Sequence, residues 1–383
     1  MKPVQPNNSI MWPVVYIALL APTSLACMVS ETTVSGTHAP ATFCSGDLIF
    51  SDDFQEFDLE KWQHENTLAG GGNWEFQYYN NNRTNSFTHD GLLFIRPSLT
   101  SDQFGEEFLS SGTLNIEGGA PADRCTNPIN YGCERTGTPS HVLNPVKSAR
   151  VRTVNSFNFR YGRVEVRAKL PAGDWLWPAI WLMPAFNVYG SWPSSGEIDL
   201  VESRGNRKLY QNNVNIGTEQ VGSTLHFGPY WGMNAYESAT WSRHNNSGYD
   251  NDFHRYQLEW TSDHIKFSID DEQLGYISPD AGGFWHHGGF DKSGLQNPWR
   301  YGSKMAPFDQ KFYIIMNLAV GGTNGYFPDD ASNPAPKPWP NNSPQAITDF
   351  WSKKSDWLPT WNLDTDDGKD ASLQVDYVKV WAL

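Results

Sequence analysis

The stretch Gly196-Glu197-Ile198-Asp199-Leu200-Val201-Glu202 constrains this chain more than any other. Three carboxylates fall between positions 197 and 202, and the residues between them are aliphatic. Side chains of a plain strand alternate faces, so Glu197 and Asp199 share a face and Val201, rather than Glu202, should follow them. One extra residue near Leu200-Val201, a β-bulge, returns Glu202 to the acidic face, and bulges often re-aim a side chain in this way. The segment therefore reads as a bulged strand presenting Glu197, Asp199 and Glu202 together. A solvated acidic face or part of a calcium site would use the same residue types, so the surroundings must decide between these readings.

Those surroundings are made of short alternating segments. Arg163-Val164-Glu165-Val166-Arg167-Ala168-Lys169-Leu170 keeps strict period two. Similar runs are Leu92 to Arg96, Ala149 to Thr153, Ser223 to Phe227, Tyr256 to Trp260, His264 to Ile269, Phe312 to Leu318 and Leu373 to Val380. No amphipathic run has convincing helical length. Many short strands separated by Gly, Pro, Asn and Asp predict an all-β chain, an antiparallel sandwich. Long loops, roughly 98–147, 204–221, 228–251, 278–309 and 322–367, are rich in Trp, Gly, Asn and Pro. Loops of this length inside a domain are usually functional, and these are expected to wall a cleft over one sheet.

Lys2 precedes the apolar run Val14 to Ala21, and Ser24-Leu25-Ala26 supplies small residues before a cut, so 1–26 reads as a secretory signal. The run is too short to span a membrane. Cys27 directly after the cut also suits a lipoprotein, but Ser24 is not the aliphatic residue that reading needs. Residues 27–43, rich in Ser, Thr and Ala, read as a tail, and 44–383 as one domain without linker or repeat. The four cysteines allow three pairings; Cys125 with Cys133 brackets a short loop, which leaves Cys27 for Cys44. Sequons for N-glycosylation stand at Asn82, Asn245 and Asn341. A net charge of −14 argues against nucleic acid and anionic membrane as partners. With 17 Trp and 16 Tyr the chain has aromatic faces to spare for a neutral sugar polymer, although most belong in a core.

Paired carboxylates on one face suit retaining glycoside hydrolysis, which needs its two carboxyl groups roughly 5–5.5 Å apart. Ser194 to Asn206 resembles the signature of glycoside hydrolase family 16 in its bulged, laminarinase-type form. Tyr161 to Pro171, Trp177 to Pro184 and Asn317-Leu318-Ala319-Val320-Gly321-Gly322 agree with it. Gly70 to Tyr79 and Cys125-Thr126-Asn127-Pro128 resemble the invertebrate branch of secreted β-1,3-glucanases and β-1,3-glucan-binding immune proteins.

The resemblance implies a jelly-roll, concanavalin-like β-sandwich and a secreted, extracellular endo-β-1,3-glucanase; a monomer is the default expectation. It would act on laminarin-like β-1,3-glucan by double displacement, with transglycosylation as a side reaction. Glu197 would be the nucleophile, Glu202 the general acid/base and Asp199 the carboxylate between them. Trp192 would pack on sugar, and Trp177, Trp181, His226, Asn73 and Glu75 are further candidates for substrate contact. Asp376, with the carbonyl of Gly91, matches a structural calcium position of some members; no cofactor is implied for catalysis. Many recognition members of the branch have lost a catalytic glutamate, whereas this chain keeps both. The rival expectation is a non-catalytic glucan-binding recognition protein, and a mixed-linkage glucan is an alternative substrate.

Overall fold

The computed structural model describes residues 1–4 and 27–383, so the signal expected over 1–26 lies almost wholly outside the described residues. The alternating segment shows how the sequence builds the fold. In the strand Gly162–Lys169, Val164, Val166 and Ala168 are buried while Arg163, Glu165 and Arg167 face outward. This strand sits inside an eight-stranded sheet ordered Glu272–Ile277, Ile265–Ile269, His254–Trp260, Gly162–Lys169, Leu373–Trp381, Leu92–Ile95 and Ser86–His89. Leu48–Asp52 also pairs with Leu373–Trp381. A nine-stranded sheet runs Thr33–Ser35, Asn158–Arg160, Phe312–Val320, Leu176–Pro184, Glu197–Ser203, Gln220–His226 and Thr240–His244. Arg150–Arg152 adds to it beside Phe312–Val320, and Gln63–His64 beside that.

Every pairing in these two sheets is antiparallel, and a single large hydrophobic core joins them. Trp260, from the eight-stranded sheet, makes edge contacts with Phe159 at 5.6 Å and Phe312 at 5.4 Å, both from the other sheet. Its indole N–H, fully buried, donates to the Phe308 carbonyl at 2.9 Å. Trp260→Ala should therefore lower unfolding stability by about 3–5 kcal/mol, read as a shifted denaturant midpoint at constant slope.

Two expectations need correcting. Residues 27–43 are not simply a tail, because Thr33–Ser35 pairs with Asn158–Arg160 as an edge strand. The β-branched Thr33 and Val34 suit that edge, and the Ser/Thr-rich composition around them hid it. The stretch 98–147 is not one irregular loop either. It holds two short helices, Ser101–Phe104 and Glu106–Ser111, and a hairpin of Thr113–Asn115 with Glu134–Thr136. It also supplies Ser98–Leu99 and Val146–Ser148, which form a small sheet with Gln77–Tyr79. The disulfides pair Cys27 with Cys44 and Cys125 with Cys133, as their spacing suggested. Among the described residues no helix is long and apolar enough to cross a membrane.

The sequons are not equivalent. The Asn341 amide donates to the Phe327 carbonyl at 3.1 Å and accepts from Lys337 at 2.7 Å, so its nitrogen is engaged inside the protein, where a glycan would crowd that contact. Asn82 and Asn245 use only their amide oxygens, each in a local turn. Expressed in a glycosylating host, the protein should carry glycan at Asn82 and Asn245 and none at Asn341, as read by peptide mass spectrometry.

Candidate active site

The strand Glu197–Ser203 carries the expected irregularity. Glu197 stands opposite His226, Asp199 opposite Thr224 and Glu202 opposite Gly222, so the acidic strand spends one more residue than its partner. On its other side the same slip falls between Trp181, opposite Asp199, and Ile180, opposite Val201. Leu200 and Val201 both enter the core, and Glu202 returns to the face of the other two acids. The strand begins after Gly196, whose φ is +84° and where a Cβ would lie 3.0 Å from the Phe308 ring. Only glycine meets both conditions, and it delivers Glu197 at the strand's first position.

Each glutamate receives an indole N–H. Trp192 donates to Glu197 Oε2 at 2.7 Å, and Trp177 donates to Glu202 Oε1 at 2.9 Å. Trp192 remains 40% exposed, so its ring is both an anchor for Glu197 and an open apolar face. Trp177 is buried, stacked on Tyr326 with centroids 4.0 Å apart, and the Arg204 guanidinium covers the Tyr326 ring at 4.1 Å. Trp177 thus positions Glu202, whereas the sequence suggested a sugar contact. His226 Nε2 lies 3.2 Å from Asp199 Oδ2 and 3.9 Å from Glu197 Oε1. The Asp199 contact is close but poorly aligned, and Oδ2 is otherwise buried without a hydrogen-bond donor. A carboxyl oxygen so placed holds a proton more readily than an exposed one.

The electrostatics agree. Burial first, then the charges of Glu197 and Glu202, hold the Asp199 carboxyl well above its usual range. Burial likewise raises Glu202, against the lowering effects of His226 and the Trp177 bond. For His226, burial acts to lower the pKa, but the contact with Asp199 and the charges of Glu197, Asp199 and Glu202 outweigh it and raise it to about 9. Asn234 contacts the other imidazole nitrogen at 2.7 Å through its amide nitrogen, while its oxygen accepts from the Phe227 N–H at 3.2 Å. A charged imidazolium requires that amide to turn, losing one hydrogen bond of about 1 kcal/mol. A carboxylate near 4 Å contributes roughly 4 kcal/mol at an effective dielectric of 20, more than the cost of that turn. The ligating atoms of Glu197, Asp199 and His226 lie within 4.8 Å of one another, the reach of a metal site. An ion held there would have to displace the protons these groups carry, so its binding would weaken as pH falls.

The other candidates are dispersed. Trp181 donates to Asn317 Oδ1 at 2.7 Å and lies under the Arg150 guanidinium, so it lines the acidic face from the neighbouring strand, opposite Asp199. Glu75 is buried and accepts from Asn73 at 3.1 Å, Gln77 at 2.6 Å and the Tyr79 hydroxyl at 3.4 Å. Its carboxylate is therefore engaged within the protein. A Cβ on Gly71 would strike it at 2.2 Å, and that glycine holds φ +62°. The loop still borders the site, since a Cβ on Gly322 would meet Asn73, Glu75 and Trp177 within 3.8 Å. Its exposed ring is Trp74, which the sequence reading passed over. Asp376 lies in the other sheet and binds Arg167 at 2.5 Å; Gly91 occupies the turn before Leu92–Ile95. A calcium ion would have to displace that guanidinium, so this donor set does not fit one as it stands. Tyr326, Arg204, Asn234 and Asn317 were assigned no role from sequence, although Arg204 and Asn317 stood inside the blocks quoted above.

The comparisons with known proteins point the same way. Residues 135–281 match the family described as Glycosyl hydrolases family 16. A "Beta-1,3-glucan-binding protein" of Penaeus monodon is 50% identical over 339 residues, covering 88% of this chain and 90% of the relative. "Beta-1,3-glucan-binding protein 1" of Galleria mellonella is 34% identical over 380 residues, covering 97% of this chain and 71% of the relative. The structure of the laminarinase from Rhodothermus marinus aligns with a TM-score of 0.53 at 25% identity, over 88% of this chain and 98% of that one. Bulged acidic strand, two-sheet sandwich and matched relatives together lead to one statement: the chain belongs to glycosyl hydrolases family 16, beside the invertebrate β-1,3-glucan-binding proteins.

Proposed function

We propose that this chain is a secreted, retaining endo-β-1,3-glucanase acting on laminarin-like glucans. The observation that carries this reading is the bulge, which sets Glu202 on the face of Glu197, where burial raises its hold on a proton. Glu202 gives its proton to the glycosidic oxygen as Glu197 attacks the anomeric carbon; the bond to the leaving chain breaks and an ester to Glu197 forms. Glu202, now a carboxylate, takes a proton from water, whose oxygen attacks the same carbon and releases Glu197. The net change is addition of water across one glycosidic bond. Trp192 and Trp177 hold the two carboxyls in place through their N–H donors. Asp199, beside Glu197, shares proton load as the ester forms and breaks. The glucan assignment is supported by the names of the relatives and of the Rhodothermus marinus enzyme. Two disulfides fit an oxidising compartment.

The second reading, glucan binding without turnover, is favoured by those same names, since both relatives are described as binding proteins. Release of reducing sugar from laminarin, run beside retention on insoluble β-1,3-glucan, separates the two. Retention without release would establish the binding protein and end the hydrolase reading.

The hydrolase reading has a second consequence at His226. Its positive charge lowers both Asp199 and Glu202. His226→Gln removes that charge, so the Glu202 pKa should rise and the alkaline limb of the pH–rate profile should move to higher pH. A limb that stays in place or moves down would show that His226 is not charged beside the acids.

A further inference from the structure

The register around the bulge lays residues in rows across the acid face. Arg150, Asn317, Ala179, Glu202, Gly222 and Ser242 stand opposite one another on six adjacent strands. Trp181, Asp199, Thr224 and Thr240 belong to the next row. Opposite residues of an antiparallel pair share a face, so both rows lie on the side that carries the acids. The two flanks of the acidic strand differ. On one, Trp181 donates to the buried Asn317, and the Arg150 guanidinium covers the Trp181 ring at 5.2 Å. On the other, the row beside Glu202 holds a partly exposed glycine and then an exposed serine.

Neither backbone nor packing requires glycine at 222. Unlike Gly196, Gly222 lies outside the left-handed region. A Cβ built on it would find its nearest atom beyond the adjacent residues, the Trp241 carbonyl oxygen, at 3.6 Å, an ordinary contact. The bulge in the neighbouring strand therefore does not demand it. Gly222 is also internal to the strand Gln220–His226 and paired on both sides. Glycine weakens such a position and often marks the close approach of a ligand. What it leaves is bare backbone opposite Glu202. Ser242 lies two strand spacings, about 10 Å, from the acidic strand. Tyr236, 41% exposed and stacked on His226 at 5.4 Å, walls the same flank at its Glu197 end.

The hydrolytic cycle makes unequal demands on the two flanks. The sugar bonded to Glu197 must be held through the intermediate, which suits the interlocked flank of Trp181, Asn317 and Arg150. The leaving chain must depart and water must replace it, which suits an open flank. We propose that Gly222 is the floor of the leaving-group side. Its missing side chain lets the first sugar of the departing chain lie against the strand beside Glu202, with Ser242 beyond it and Tyr236 at its edge. The proposal rests on the hydrolase reading and adds to it the flank from which product leaves.

The test compares two substrates on the full chain and on its Gly222→Val and Gly222→Ala variants. Laminarin places a sugar on the leaving side; β-laminaribiosyl fluoride places none. With the fluoride, the C–F bond breaks as the ester to Glu197 forms, fluoride leaves with the electron pair, and water then frees the sugar. In Gly222→Val, kcat/KM on laminarin should fall about tenfold or more, while that on the fluoride stays within about twofold. Gly222→Ala, which adds one methyl group to open space, should lose about threefold on laminarin alone. Both replacements suit a strand interior better than glycine, so both variants should melt no lower than the unsubstituted chain. A fall of equal size on the two substrates, or on neither, overturns the proposal. A fall on the fluoride alone would place the retained sugar on this flank and overturns it as well. No turnover of either substrate by the unsubstituted chain would instead defeat the hydrolase reading, and this proposal with it.

Discussion

Glu197→Gln is expected to lose turnover on laminarin by about 10⁴-fold or more while keeping glucan retention near that of the unsubstituted chain. The side chain keeps its shape and its oxygen can still accept from Trp192, so the strand and the exposed indole should not move. What disappears is the carboxylate that forms the ester with the anomeric carbon. No nearby group replaces it: Asp199 is buried and held toward its protonated form, and Glu202 is occupied as the acid. Reducing-sugar release and a pull-down on insoluble glucan measure the two quantities on the same preparation. Normal turnover in the variant would remove Glu197 from its assigned role.

Glu202→Gln should lower kcat by about 10²–10⁴-fold and remove the alkaline limb of the pH–rate profile. The limb arises because Glu202 must be protonated to act as acid, and activity falls as pH rises through its raised pKa. The same substitution has an opposite effect on stability. A carboxyl whose pKa is raised on folding contributes stability that is present below its unfolded value and is lost as pH rises through its folded value. Glutamine does not titrate and can still accept from Trp177, so Glu202→Gln should melt above the unsubstituted chain at alkaline pH. The difference should vanish at pH values below the ordinary carboxylate range. Melting curves across that span check the sign; a variant less stable at high pH would mean that Glu202 is not held in its acid form.

Much of this site was legible in the residues alone because its key device is a mismatch of periods. Two acids two apart and a third three further on cannot share a face of a regular strand, so the bulge between Asp199 and Glu202 was implied by spacing. The sandwich was legible for a similar reason, since strands such as Gly162–Lys169 alternate cleanly. What the sequence withheld depends on neighbours across strands. Trp177 and Trp192 look alike as residues, yet one is buried as the donor to Glu202 and the other is open. Tyr326 and Asn234 come from segments without periodicity, and nothing local marks them as backing for Trp177 and His226. Glu75 was read as reaching toward sugar, but its oxygens meet donors from its own loop and strand.

The crowding of Glu197, Asp199 and Glu202 on a single strand has a bearing on how such a chain diverges over generations. The acids are held together against their own repulsion and desolvation, while the bulge, the core and the exposed aromatic faces do not depend on their charge. A substitution that removes one of them abolishes chemistry and at the same time relaxes the fold, so drift from catalyst toward lectin runs downhill in stability. On the proposed hydrolase reading, keeping all three requires continuous selection for turnover, and a chain rewarded for recognition alone has an easy route to losing them.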